Sequence, residues 1–276
     1  MQTIKTSRQE DIAPFLKKLA LPLKDSHKGQ NGKVLIIGGS TLFHAASLWS
    51  AEIASHFADM VHYCSTDENN EIFQSLKKIF RNGIAVPRSE MESYIEEDDV
   101  ILVGPGLERN EGTRNLTEEV IRKTTGKKLV LDAGSLQMMN IIDLTKRKVP
   151  AVITPHHKEY EGMFHVSISH LSLEEKVREV QSRAKKYNCI ILLKTVRDII
   201  SDGGTSYVVE GGNQGLTKGG TGDILAGLTA SLFAHTHGLT AAVLSSFLLK
   251  RTSDELFKSK GYWYNNSDIL DTIPKI

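Results

Sequence analysis

Short continuous apolar runs recur along the chain, separated by stretches whose apolar residues return every three or four positions. The runs are Lys33–Ile37, Met60–Cys64, Ile84–Val86, Val100–Val103, Lys128–Asp132, Ala151–Thr154 and Cys189–Leu193. Helical periodicity fills Ala45–Ala58, Glu71–Phe80, Gly112–Thr124 and Leu173–Tyr187. Strand-like runs without in–out alternation, interleaved with helices, predict an α/β fold with a mostly parallel sheet covered on both faces. After Lys194 the pattern changes. Asp198–Ser201 and Thr205–Glu210 flank Asp202-Gly203-Gly204, a hairpin signal. Two helices, Ile224–Ala234 and Thr240–Phe257, follow, with a last short helix near Asp268. At the front, Ile12, Phe15, Leu16 and Leu19 share a helical face that Pro22 ends, and Pro14 fits only in a first turn. Residues 1–31 read as a leading arm and 32–276 as one domain, without repeats, low-complexity segments or linkers. The apolar face of the arm, around residues 12–19, is a candidate interface.

Composition narrows the class. The 276 residues are ample for a sizeable core. Lys and Arg number 34 against 33 Asp and Glu, and they are spread along the chain. No basic stripe points to nucleic acid. The two cysteines, Cys64 and Cys189, sit at the ends of apolar runs, as buried thiols of a reducing compartment do. The N-terminus mixes charged and apolar residues, unlike a secretory leader, and no apolar run is long enough to span a bilayer. The expectation is a cytoplasmic protein with no membrane partner.

The chemistry concentrates in Gly215-Leu216-Thr217-Lys218-Gly219-Gly220-Thr221-Gly222-Asp223, which runs straight into the helical pattern starting at Ile224. Glycine leaves backbone N–H groups uncovered, and the helix dipole adds positive potential, so the loop suits an anion. Asp223, read as the last residue before the helix, should repel phosphate. Its presence there points to a hydroxyl deprotonated beside a bound phosphoryl group. The plainer reading is a flexible loop whose aspartate caps a helix. No Gly-Lys-Ser/Thr follows the glycines, which excludes a Walker A loop.

Other polar loops fall at the carboxyl ends of strands, where open α/β sheets bind ligands. Gly38-Gly39-Ser40 lacks the dinucleotide fingerprint spacing and is a tight turn or a ligand contact. Gly104-Pro105-Gly106 is likewise a turn or a ligand-facing loop. Asp132 could hold a metal-bound water or a hydroxyl, but reads best as a helix cap. In Thr154-Pro155-His156-His157-Lys158-Glu159, His156 or Glu159 could contact substrate or metal, but adjacent histidines alone make no zinc site. Lys194, at a strand end, reaches a phosphate or simply solvent. Of the scattered histidines only His44 lies beside a loop of interest.

Taken in order, Val34–Ser40 with Ala45-Ala46, Gly104-Pro105-Gly106-Leu107, Leu131-Asp132-Ala133, Thr154-Pro155-His156-x-x-Glu159, Lys194 and Gly219–Asp223 resemble the ADP/ATP-dependent NAD(P)H-hydrate dehydratases of the ribokinase-like superfamily. The likeness runs from about Lys33 to Phe257. It implies a three-layer α/β/α fold with a C-terminal hairpin and helices. It also implies removal of the C6 hydroxyl from hydrated NADH or NADPH, through phosphorylation by ADP or ATP with Mg2+ and loss of phosphate. By the same resemblance Asp223 is the catalytic base, and the N–H groups from Gly219 to Gly222, Gly220 and Gly222 among them, stabilise the phosphoryl charge. Lys194, Thr195, Asp198, Asn213, Gly219, Thr221 and Gly222 would hold the nucleotide. Ala45, Gly106, His156 and Asp223 would contact the hydrated cofactor. A homo-oligomer is implied, and no metal ligand on the protein is named. A helix N-terminus lowers a carboxylate's pKa, so Asp223 is expected to be a weak base. The chain departs from the family pattern at Glu108, Gly134, Thr195 and His44. The rival readings are a small-molecule kinase for a vitamin precursor on the same scaffold, and a nucleotide-binding protein that has lost catalysis.

Overall fold

A computed structural model describes residues 1–276. The chain runs β1 (Gln2–Lys5), α1 (Gln9–Leu16), β2 (Lys33–Ile37), α2 (His44–Ala54), β3 (Met60–Cys64), α3 (Asp67–Ser75), β4 (Ile84–Val86), α4 (Met91–Glu97), β5 (Val100–Val103), α5 (Glu111–Lys123), β6 (Lys128–Leu131), α6 (Gly134–Met138) and β7 (Ala151–Ile153). It continues through α7 (His157–Phe164), α8 (Leu173–Tyr187), β8 (Cys189–Leu193), β9 (Arg197–Ser201), β10 (Ser206–Glu210), α9 (Thr221–His235), α10 (Gly238–Lys260) and α11 (Asn266–Thr272).

One ten-stranded sheet has the order β1-β10-β9-β8-β7-β6-β5-β2-β3-β4. The block from β4 to β8 is parallel, and β9 is antiparallel to both of its neighbours. β2 pairs with both β3 and β5, so sheet growth reverses there. The loops after β2 and β5 therefore frame a switch-point crevice. Alternate residues of each central strand enter opposite cores. Val34, Ile36, Val100 and Leu102 belong to the core that also holds α2, α9 and α10, whereas Leu35, Ile37, Ile101 and Val103 belong to the one that holds α4, α5 and α8. Burial on both faces explains the unbroken apolar runs.

The seven apolar runs all become strands, and the hairpin forms with bounds within a residue of those expected. The leading arm is different. Gln2–Lys5 pairs in parallel with Tyr207–Glu210, so the N-terminus is the sheet's edge strand. Ile12 and Phe15 are 2% and 4% exposed within this chain's own core, with Phe15 edge-on to Tyr207 at 5.1 Å. The face around residues 12–19 is thus largely spent inside the chain. Pro14 lies in the interior of α1, beyond its first turn. The helix stops two residues later. A short polar-flanked strand leaves little pattern, and β1 forms because the hairpin offers it an edge.

α4, α6 and α7 are not apparent from periodicity, because five to eight residues hold too few apolar repeats to show a period. α2 and α9 cross closely. A Cβ at Gly227 would stand 2.4 Å from the Ser50 carbonyl oxygen. We expect Gly227→Ala to cost about 2 kcal/mol through overpacking, measured by urea denaturation.

Candidate functional site

α9 begins at Thr221, not after Asp223. Gly220 is its N-cap, at φ 100°, a left-handed turn that glycine adopts without strain. Thr221 Oγ1 donates to the carbonyls of Leu216 (2.8 Å) and Lys218 (3.0 Å), which ties the loop back on itself. Asp223 is therefore the third residue of the helix. The N–H groups of Gly219, Gly220 and Gly222 have no partner in the chain. Unpaired donors at the positive end of a fifteen-residue helix suit an anion.

Two long-range partners flank this turn. Lys194, following β8, donates from Nζ to Asp132 Oδ1 at 2.8 Å. The same oxygen accepts from Thr154 Oγ1 at 2.7 Å. Asp132 is thus not a helix cap, because its carboxylate is committed to Lys194 and Thr154 and Ala133 occupies the N-cap of α6. Nor is Lys194 a solvated strand-end lysine. Its Nζ lies 3.3 Å from where a Cβ on Gly222 would sit, so the cation faces the first turn of α9. Burial by itself would lower the Lys194 pKa, but Asp132, Glu159 and Asp223 outweigh it and hold it above the ordinary value.

Asp223 departs from the sequence-based expectation. Burial, with Asp132 adding repulsion, pushes its pKa up to about 7, although Lys194 pulls it down. Desolvation outweighs the helix dipole, which is worth about 1 kcal/mol.

A cavity of about 470 Å3 opens beside this cluster. Of the expected nucleotide residues, Lys194, Thr195, Asp198, Asn213, Thr221 and Gly222 border it, and Gly219 lies outside its lining. Two of them serve as struts. Asp198 accepts from the Thr195 N–H (2.8 Å) and Ser246 Oγ (2.7 Å), and Lys250 Nζ stands 3.5 Å away. The Asn213 side chain accepts from the Gly215 N–H (3.0 Å) and Tyr264 OH (2.9 Å) and donates to the Ser253 carbonyl (2.8 Å). Lys250 was missed by sequence reasoning. It is 5% exposed, and its Nζ donates to the carbonyls of Thr195 (3.2 Å) and Val196 (3.0 Å). The available signal was a lysine directly after an apolar run in a helix, Phe247-Leu248-Leu249.

At the other end of the cleft the loops after β2 and β5 are joined by the Gly39 N–H, which donates to the Pro105 carbonyl at 2.8 Å. Gly106 packs under the start of α2, where a Cβ would stand 2.7 Å from the Phe43 carbonyl. Ala45 is exposed in the first turn of that helix. His156 lies nearer the cluster, lining the 470 Å3 cavity beside Lys194, and caps α7, its Nδ1 accepting from the N–H groups of Lys158 (3.1 Å) and Glu159 (3.3 Å). That use of Nδ1 leaves the ring proton on Nε2, so the half-exposed imidazole is presented as a donor. Glu159 is held inside, accepting from the His156 N–H and Gln137 Nε2, each at 2.9 Å. His44 Nδ1 pairs with Asn69 Oδ1 at 2.8 Å. Glu108 accepts from Thr41 (3.3 Å) and Asn110 (3.2 Å) at the edge of a groove of about 630 Å3. Gly134 has no room for a side chain, since a Cβ would meet the Leu107 carbonyl at 2.3 Å. The largest cavity, about 1370 Å3, lies at the amino ends of the strands beside Lys128 and Cys189 and touches none of these loops.

A family model for NAD(P)H-hydrate dehydratase matches residues 34–275. The chain is 31% identical over 259 residues to a bifunctional NAD(P)H-hydrate repair enzyme of Archaeoglobus fulgidus, covering 91% of this chain and 52% of that protein. It is 29% identical over 265 residues to an ADP-dependent (S)-NAD(P)H-hydrate dehydratase of Nitrosopumilus maritimus, covering 91% and 90%. The chain spans about half the length of the first of these relatives. In three dimensions it resembles the ADP/ATP-dependent NAD(P)H-hydrate dehydratase of Bacillus subtilis, co-crystallised with ATP and Mg2+, with TM-score 0.83, 20% identity and coverage of 99% and 97%. A ribokinase-like superfamily protein of Enterococcus faecalis superposes with TM-score 0.83 at 24% identity, covering 99% and 94%. The fold is thus ribokinase-like.

The raised Asp223 pKa has a stability consequence. Between the unfolded value of 3.8 and about 7, the folded chain binds the proton more tightly than the unfolded chain does. Stability from this group therefore falls as pH rises through that window. Asp223→Asn should raise the thermal midpoint at pH 8 and leave it nearly unchanged at pH 4, as followed by calorimetry.

Proposed function

The chain belongs to the NAD(P)H-hydrate dehydratase family, and on that premise we propose that it returns hydrated NADH or NADPH to the reduced cofactor at the expense of ADP or ATP. The observation that carries the reading is the Asp223 carboxylate in the first turn of α9, beside unpaired loop N–H groups and facing Lys194.

In this reading the donor nucleotide lies in the cavity bounded by Thr195, Lys250 and Gly222, with its terminal phosphoryl group at the glycine loop. The hydrated nicotinamide approaches from the switch-point side, past Ala45, Gly106 and the Nε2–H of His156. Asp223 takes the proton from the C6 hydroxyl as its oxygen bonds to phosphorus. Loop N–H groups and Lys194 bear the charge that develops on the phosphoryl oxygens. Hydroxide is a poor leaving group and phosphate a good one. The ring nitrogen lone pair then expels phosphate, breaking C6–O and forming N1=C6. Loss of the C5 proton restores the C5=C6 double bond. The products are the reduced cofactor, phosphate, and AMP or ADP.

A base that titrates near neutrality suits this task better than an ordinary aspartate. It is ionised in part at working pH and accepts a proton without a large mismatch. Mg2+ would accompany the nucleotide. No group of three or more His, Cys, Asp or Glu is placed to hold an ion. The chain offers no cage of its own, which fits a metal carried on nucleotide phosphates and water, and no step above is routed through it.

Incubation of hydrated NADH with ADP or ATP should produce absorbance near 340 nm together with one phosphate per reduced cofactor, a ~340 nm band being a property of the cofactor. A stable phosphate ester without that band would mark a kinase instead. Asp223→Asn should lower kcat by about 10^3-fold or more while nucleotide affinity measured by calorimetry changes little. For the wild-type protein kcat/KM should fall on the acid side of about pH 7, following protonation of Asp223, and a profile flat from pH 5 to pH 8 would remove Asp223 as the base.

A further inference from the structure

The glycine loop is held from behind by the C-terminal tail. Asn266 Nδ2 donates to the Gly219 carbonyl at 2.8 Å. Lys218 Nζ donates to the Tyr262 carbonyl at 2.6 Å, and Tyr264 OH donates to Asn213 Oδ1 at 2.9 Å. Residues from both ends of the loop are thus fastened to one short stretch, Tyr262 to Asn266. That stretch is itself anchored. Asn265 caps α11 in a reciprocal box with Asp268, which fixes Asn266 as the first helical residue.

Asn266 is 7% exposed and cannot touch a nucleotide phosphate directly. Its Oδ1 is buried without a partner, so the one hydrogen bond of the side-chain amide is the one to the Gly219 carbonyl. Together with the Trp49 ring it forms the wall behind Gly220, where a Cβ would stand 2.2 Å from Asn266 Nδ2 and 2.1 Å from Trp49 Cζ3.

The peptide between Gly219 and Gly220 is planar and trans, so its C=O and N–H point in opposite directions. Drawing the Gly219 carbonyl onto Asn266 turns the Gly220 N–H outward, away from the tail and toward the open side of the loop. That N–H has no partner in the chain. We propose that Asn266 is a positioning residue for the phosphoryl-transfer site: by holding the Gly219 carbonyl, it aims the Gly220 N–H at the transferred phosphoryl group. The inference rests on the phosphoryl-transfer reading of the loop and adds to it a residue outside the glycine motif, 47 positions from the carbonyl it holds.

Two variants test it. Asn266→Ala removes the donor. Asn266→Asp keeps the shape, and an acid at the start of α11 suits that helix, so it remains informative if the alanine protein folds poorly. Each is compared with wild type for kcat and for the affinities of ADP, AMP and inorganic phosphate by calorimetry. Both variants should lose about 10-fold to 100-fold in kcat, the scale of a misdirected oxyanion donor. Phosphate affinity should fall about 10-fold, and ADP affinity should weaken with it because its terminal phosphoryl group lies at the same loop, while AMP affinity stays within about twofold because the rest of the nucleotide cavity is untouched. If kcat and phosphate affinity remain near wild type in either variant, the inference fails. It also fails if phosphate and AMP affinities drop together, since that would be loss of the loop rather than of its aim. Phosphate binding needs no hydrated cofactor. A wild type that dehydrates nothing, yet binds phosphate in the Asn266-dependent way described, would overturn the proposed function and leave this inference standing.

Discussion

The salt bridge between Lys194 and Asp132 is the contact on which the candidate site depends, because it keeps a cation beside the buried Asp223 carboxylate. Without Lys194, Asp223 would be a buried acid facing a second buried acid, and its proton would be held still more tightly. Without Asp132, Lys194 would lose the partner that fixes Nζ next to the first turn of α9. Thr154 occupies the same Asp132 oxygen and completes the bracket. Three strand ends, of β6, β7 and β8, each supply one member, so the parallel sheet is itself the alignment device for the charges.

Helix α2 connects the two ends of the cleft. Its first turn carries Ala45 beside the loop of Gly106. One turn further, Trp49 backs Gly220, and Ser50 Oγ donates to the Asp223 carbonyl at 2.8 Å. The close crossing at Gly227 packs α2 directly against α9. In the proposed reaction this packing would keep the substrate at one end and the phosphoryl group at the other in a set relation, which is where positioning contributes to rate. The C-terminal tail closes the third side.

The strands were legible because each central strand is apolar on both faces, and the glycine loop was legible because few other structures need Gly219-Gly220-Thr221-Gly222 in a row. Legibility ended where a residue's job depends on a distant neighbour. Asp132 looked like a helix cap because an aspartate after a strand often is one, and nothing local reveals Lys194, 62 residues away. The family resemblance assigned Asp198 and Asn213 to the nucleotide, yet their side chains are spent on bracing turns. Lys250 and Asn266 attracted no notice, since one sits in an apolar helix and the other in a polar tail.

What the sequence by itself determined was the architecture, the order of loops along one sheet edge and the presence of an acid at the end of a glycine-rich turn. These follow from local spacing and from residue types that leave few alternatives. The tertiary structure alone decided that α9 starts at Thr221, that the N-terminal residues join the sheet, and that Asp223 titrates near neutrality. The physical reason is the range of the forces involved. Backbone preference and periodicity act over a few residues. Desolvation and charge coupling act over a few ångströms, and those ångströms are filled by residues from anywhere in the chain.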